Sequence, residues 1–158
     1  MEAATGQETG PADLRKKMVA ALKSAVVPIL RSRGFKGTFP HFRRFKENGV
    51  DLFTFQFDRN GGGFIIEIAR GPAGGFTTSW GKFIPPELMK SWDMDLKNRA
   101  RVYVGGSRKG GRVHSWYRFD HGEFAICCEQ VLERLRDADV WFEGGASDAV
   151  AEFLKNPQ

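Results

Sequence analysis

The chain has 158 residues, 41% of them hydrophobic and 13% aromatic with 14 Phe, and a formal charge of +5. This much apolar and aromatic content argues against a disordered chain, and the length fits one domain able to bury a real core. No apolar run approaches the roughly 18 residues of a transmembrane helix, so membrane association is not expected.

Residues 1–11 are small, polar and Gly-containing, and are expected to form a disordered tail before a single domain over 12–158. They include no apolar run that would serve as a signal peptide. Asp13 stands where a first-turn acid helps a helix. Leu14, Met18, Ala21, Leu22, Ala25, Val26 and Ile29 then recur at spacings of three and four, the period of an amphipathic helix. Pro28 bends its last turn, and Gly34 as the C′ residue ends it near Arg33.

Residues 39–70 read as three antiparallel strands joined by two tight turns. A type I′ turn at Asn48-Gly49 sets Lys46 opposite Asp51, Arg43 opposite Thr54, Phe42 opposite Phe55 and His41 opposite Gln56. A second turn in Arg59-Asn60-Gly61-Gly62 sets Phe57 opposite Phe64, Phe55 opposite Ile66 and Phe53 opposite Ile68. Strand alternation gathers Phe42, Phe53, Phe55, Phe57, Phe64, Ile66 and Ile68 on one face. Each contributes roughly 1.5–3 kcal/mol when buried, so that face is the core side. The other face is mixed and lines up His41 with Gln56, Arg43 with Thr54 and Glu67, and Phe45 with Leu52. The Arg43, Thr54, Glu67 row reads either as an exposed salt bridge, worth under about 1 kcal/mol, or as the polar floor of a binding groove.

Residues 71–97 hold four Gly, three Pro and the aromatics Phe76, Trp80, Phe83 and Trp92. Irregular segments this long are often functional, and the aromatics are expected to pin this one over a sheet face. Pro85-Pro86-Glu87-Leu88 reads as a short helical turn opened by proline. Asn98 to Val104 alternates as a fourth strand and Val113 to Phe119 as a fifth, with GGSRKGG between them as a flexible hairpin loop. A phosphate cradle fails there, because Arg112-Val113 follow where a P-loop needs Lys-Ser or Lys-Thr. Asp120 and Glu123 resemble a capping box opening a helix over 121–136, with Phe124, Cys127, Val131, Leu132 and Leu135 inward. Trp141 and Phe142 fall in a linker, and Ser147 caps a last helix carrying Val150, Phe153 and Leu154. The adjacent Cys127 and Cys128 diverge by about 100° on a helix, which argues against a disulfide and for a reduced, cytoplasmic protein. The sum is an α+β fold: an antiparallel sheet of about five strands (meander 39–70 plus strands near 98–105 and 112–119), packed on one face by an N-terminal helix and C-terminal helices.

Several segments together resemble a bacterial family known as domain of unknown function 4304. They are Val27-Pro28-Ile29-Leu30, Gly34-Phe35-Lys36, Phe42-Arg43-Arg44, Phe53-Thr54-Phe55-Gln56 and Phe64-Ile65-Ile66-Glu67, followed by an Arg-x-Arg strand, Trp116-Tyr117-Arg118-Phe119-Asp120 and the late Trp141. The likeness runs from about residue 12 onward. Glu67 stands where the family pattern has Asn. The resemblance implies an intracellular α+β domain and carries no established activity.

No catalytic, metal or cofactor motif is present. His41, His114 and His121 are far apart, and His121 with the cysteines supplies too few metal ligands. A Cys on a buried helix face lacks the exposed electropositive setting of a nucleophile. A hydrolase built on Glu67 and Arg43 has no specified leaving group. Two candidate binding surfaces remain: the sheet face with His41, Arg43, Thr54, Gln56 and Glu67, and an aromatic and basic loop surface with Trp80, Arg101, Trp116 and Arg118. Leu14 to Lys46 carries ten basic residues and no acidic one, whereas Asp120 to Gln158 carries nine acidic and three basic. That asymmetry either attracts an anionic partner or pairs the first helix with the last ones. The favoured reading, by analogy, is a non-enzymatic protein-binding or accessory domain of the immunity kind. Nucleic-acid or anionic-ligand binding through 14–46 is the alternative, without a recognised motif.

Overall fold

The computed structural model describes residues 10–105 and 116–153. Most of the expected N-terminal tail and most of the GGSRKGG loop lie outside the described residues.

The first helical pattern is divided in two, α1 (Pro11–Ala25) and α2 (Val27–Ser32). Pro28 has no N–H to give and crowds the preceding turn, so the helix restarts with proline in its first turn, where no donor is needed. Gly34, at φ +96°, ends α2 as the C′ residue.

The strands are β1 (Lys36–Thr38), β2 (His41–Lys46), β3 (Gly49–Phe57), β4 (Gly63–Gly71), β5 (Phe76–Thr77), β6 (Phe83–Ile84), β7 (Arg99–Val102), β8 (Tyr117–Arg118) and β9 (Val150–Glu152), with α3 (Phe124–Phe142) before the last. The main sheet runs β1-β2-β3-β4-β7-β9, with β8 also on β4, and its pairs are all antiparallel. β5 and β6 form a separate two-stranded ribbon. The α+β expectation holds.

The turn between β3 and β4 sets Phe57 opposite Phe64 as predicted. The first hairpin differs by two residues: Phe42 faces Phe53, Arg44 faces Asp51 and Lys46 faces Gly49, so the turn residues are Glu47-Asn48. Gly49 belongs to the strand, where a Cβ would stand 3.0 Å from the Gly71 carbonyl oxygen. This register places Arg44 on Asp51 (2.9 Å) while Lys46 still reaches the same carboxylate (2.8 Å).

Four further expectations are corrected. Among the described residues β8 does not pair with β7; both lie along the same edge of β4, β7 against Ile66 to Ala69 and β8 against Gly63 and Phe64. Asp120 and Glu123 do not form a capping box: Asp120 accepts from the Gly62 N–H, Glu123 from the His121 N–H, and α3 begins at Phe124. α3 also runs past residue 136, because Ala138, Trp141 and Phe142 continue its buried stripe. The expected last helix is instead strand β9, which pairs with Ala100 to Val102.

One core lies between the sheet and the three helices and contains Phe42, Phe53, Phe55, Phe64, Ile66 and Ile68 with Met18, Leu22, Leu30, Val131 and Trp141. A smaller core covers the other face, where Val50, Leu52 and Ala69 meet Ile84, Met89 and Met94. The 72–98 segment therefore forms an outer layer over the sheet, and it includes 3-10 turns at Pro86–Leu88, Ser91–Asp93 and Leu96–Asn98.

Candidate functional site

Strand alternation turns every second side chain of the sheet away from the helices. With the observed register, one such row is His41, Thr54, Glu67 and Arg101. The next is Arg43, Leu52, Ala69 and Arg99, so the predicted Arg43, Thr54, Glu67 row does not form. Gln56 lies beyond the first row, opposite Ile65, and is exposed.

The outer layer covers most of these residues. Thr54 and Glu67 are each 1% exposed and Arg43 is buried. Glu67 Oε1 accepts from Arg99 Nε at 2.9 Å, and not from Arg43. Arg43 Nε instead donates to the Met89 carbonyl at 2.5 Å, tying the sheet to the layer. His41 Nδ1 lies 3.2 Å from Thr54 Oγ1, and the Trp92 ring meets the imidazole edge-on at 4.6 Å. Burial, then the Lys90 ammonium and the Arg43 guanidinium, push the His41 pKa down to about 4, against a weaker opposing effect of Asp93. This imidazole is neutral near pH 7. The polar row is thus the underside of a packed interface. Its groups fasten the layer, and a buried Glu67 already held by Arg99 is not placed to act on a substrate.

The second candidate set is dispersed. Arg101 belongs to the row just described, while Trp116 and Arg118 meet beside the start of β4, with the guanidinium 5.4 Å from the indole. Trp80 stands on the outer layer at 78% exposure. It is not isolated there. The chain exposes nine large hydrophobic side chains among the described residues, and five of them, Trp80, Phe83, Leu88, Trp92 and Leu96, fall on this one layer. The layer packs inward through Ile84, Met89 and Met94, so neighbouring apolar residues are left outward. The aromatics expected to pin the segment are therefore mostly its outer surface: Trp80, Phe83 and Trp92 are exposed, Trp92 with one edge on His41, and Phe76 packs partly against the inner cluster. The sequence signal for this arrangement is an apolar density too high for one buried side.

The basic stretch has a different fate. Of its ten cations, seven are engaged within the fold. Arg15 donates to the Asp58 and Arg59 carbonyls, Arg31 to the Gly37 carbonyl and Arg43 to the Met89 carbonyl. Lys17 pairs with Asp13, Arg33 and Arg44 with Asp139, and Lys46 with Asp51. Lys16, Lys23 and Lys36 alone have no such partner among the described residues. Part of the charge asymmetry is thus spent joining the N-terminal region to α3.

Both thiols are buried, and burial raises them from their ordinary range, Cys127 to about 12. Cys127 Sγ donates to the Arg118 carbonyl at 3.1 Å, so neither thiol has the character of a nucleophile. Among the described residues no three His, Cys, Asp or Glu side chains are grouped to hold a metal ion, and no helix is long and apolar enough to cross a membrane.

Compared with known proteins, residues 26–144 match a family model described as a domain of unknown function (DUF4304). No match was found among curated proteins or among solved structures.

Proposed function

Because the chain belongs to the DUF4304 family, which carries no assigned chemistry, its role has to be read from its own surface, and we propose that it is a non-enzymatic protein-binding accessory domain. The contact surface is the outer face of the 72–98 layer. The observation that carries this reading is the concentration of Trp80, Phe83, Leu88, Trp92 and Leu96 on that layer. Exposed aromatic and aliphatic side chains gathered in one place mark interaction sites, and Trp is enriched among the residues that dominate binding energy. The polar row beneath supports the same reading, since fastening the layer through Arg43 and His41 lowers the entropy lost when a partner docks. Lys82, Glu87, Lys90 and Asp93 supply charges of both signs around the apolar residues, as on the rim of a protein interface. An immunity-like role, in which this domain occupies and silences another protein, falls within this class.

The test is affinity capture from the source organism after nuclease treatment, with the wild-type chain and a Phe83→Ser/Leu88→Ser variant side by side. A defined protein retained by the wild type and lost by the variant, with circular dichroism unchanged, is the expected result. A catch that is abolished by nuclease, or is identical for both chains, contradicts the proposal and returns the argument to Lys16, Lys23 and Lys36.

A further inference from the structure

Sheet order leaves β9 at an edge, and among the described residues nothing pairs with its outer side. The Tyr103 N–H bonds the Ala149 carbonyl and the Phe153 N–H bonds the Arg99 carbonyl. In an antiparallel ladder this puts residues 150 and 152 at the widely spaced positions, so their own backbone groups point away from β7. The Val150 N–H is already used by the Ser147 carbonyl at 3.1 Å. What remains is one complete donor and acceptor pair at Glu152 and the acceptor at Val150.

Each face of this edge opens on a cavity. On the helix side about 460 Å³ lies between Trp141, Asp148, Val150 and Glu152. On the opposite side about 370 Å³ lies between Leu96, Arg101, Tyr103 and Phe153. Glu152 borders both, and the other charged residue differs in sign, Asp148 on the helix side and Arg101 on the opposite one. Arg99 is committed to Glu67, whereas Arg101, 5.3 Å from the Phe153 ring, has an unpartnered buried Nε and no ion pair among the described residues. The helix side carries the carboxylates of Asp148 and Glu152.

We propose that the outer edge of β9 takes an extended segment of a partner protein as an added strand, with a basic side chain opposite Glu152 and an acidic one on each side of it. Residues opposite each other share a face, so the base enters the Trp141 cavity and the flanking acids turn toward Arg101. Main-chain bonds supply affinity and the two cavities supply selectivity, which is the general mode of strand addition. This edge is separate from the outer-layer surface proposed above, although Leu96 borders both, and the two can fail independently.

The probe is a fluorescent, end-blocked peptide, Thr-Val-Glu-Lys-Glu-Val-Thr, titrated by anisotropy against the full chain. Binding is expected, with the Glu152 amide among the most shifted in a nitrogen–proton correlation spectrum. N-methylation of the peptide's lysine amide removes one ladder bond without touching the protein, and is expected to weaken binding about tenfold. Arg101→Gln and a charge-reversed Lys-Glu-Lys peptide are expected to weaken it as well. No binding at about 1 mM, equal binding of the N-methylated peptide, or equal binding of the charge-reversed one overturns the proposal. So does a dimer by light scattering that Glu152→Pro dissociates and the peptide leaves intact, since the edge is then filled by a second copy of the chain.

Discussion

Asp51 sits in a cross-strand row between Arg44 and Arg70, and its carboxylate, 6% exposed, accepts from both Arg44 and Lys46. Arg44 also pairs with Asp139 on α3 and lies 4.4 Å over the Phe35 ring, so one buried acid links β2, β3 and the helical layer. Asp51→Asn leaves Arg44 with Asp139 as its remaining carboxylate and takes the partner from Lys46, and after allowance for their partial exposure is expected to cost about 2 kcal/mol in a urea melt. Asp51 also explains the register error. Both registers bring a cation to it, and a shift of two residues keeps every side chain on its own face. Hydrophobic pattern therefore cannot separate them, whereas the salt bridge to Arg44 and the close approach of Gly49 to Gly71 can. His41 gives a second residue-scale prediction. Its folded pKa is about 4 against an ordinary 6.5, so the unfolded chain binds a proton that the folded chain refuses between these values. Stability from this group is fully present above pH 6.5 and is lost as the pH falls toward 4. After allowance for partial exposure the loss is roughly 1–2 kcal/mol, and His41→Asn is expected to remove that part of the slope when melts at pH 7 and pH 5 are compared.

At the scale of elements, helix–strand identity was legible where a period ran long enough, as in α1, α3 and the β2-β3-β4 meander, and failed where a short segment was decided by its neighbours. Val150 to Glu152 is three residues with an apparent Ser cap before it. Ser147 instead bonds Asp137 and the Ala149 N–H, and the segment becomes a strand because the edge of β7 offers it a ladder. Likewise the polar sheet face could be listed from the pattern, but its burial could not, since that depends on where residues 72–98 travel. Their path is fixed in part by Gly75, at φ +102°, where a Cβ would stand 2.6 Å from the Phe83 ring and 2.8 Å from the Ile84 carbonyl oxygen. Gly75→Ala is expected to open the β5-β6 ribbon while sparing the sheet. Limited proteolysis should then show faster cleavage within 72–84, with the urea midpoint changed by no more than about 1 kcal/mol equivalent.

For the molecule as a whole, the sheet is enclosed on both faces, by helices on one and by an irregular layer on the other, and the chemistry-bearing side chains are mostly consumed in holding these layers together. The net charge of +5 overstates the free basic surface, because most of the cations in 14–46 have partners inside the fold. What is left without a structural task is the outward apolar side of that layer, the surface proposed to bind protein. The most direct measurement is photo-crosslinking in the source organism from benzoylphenylalanine placed at Trp80 or, as a contrast, at Lys23. A discrete protein adduct is expected from position 80 and none of comparable yield from position 23. Adducts arising only from position 23, or adducts that are nucleic acid, would contradict it.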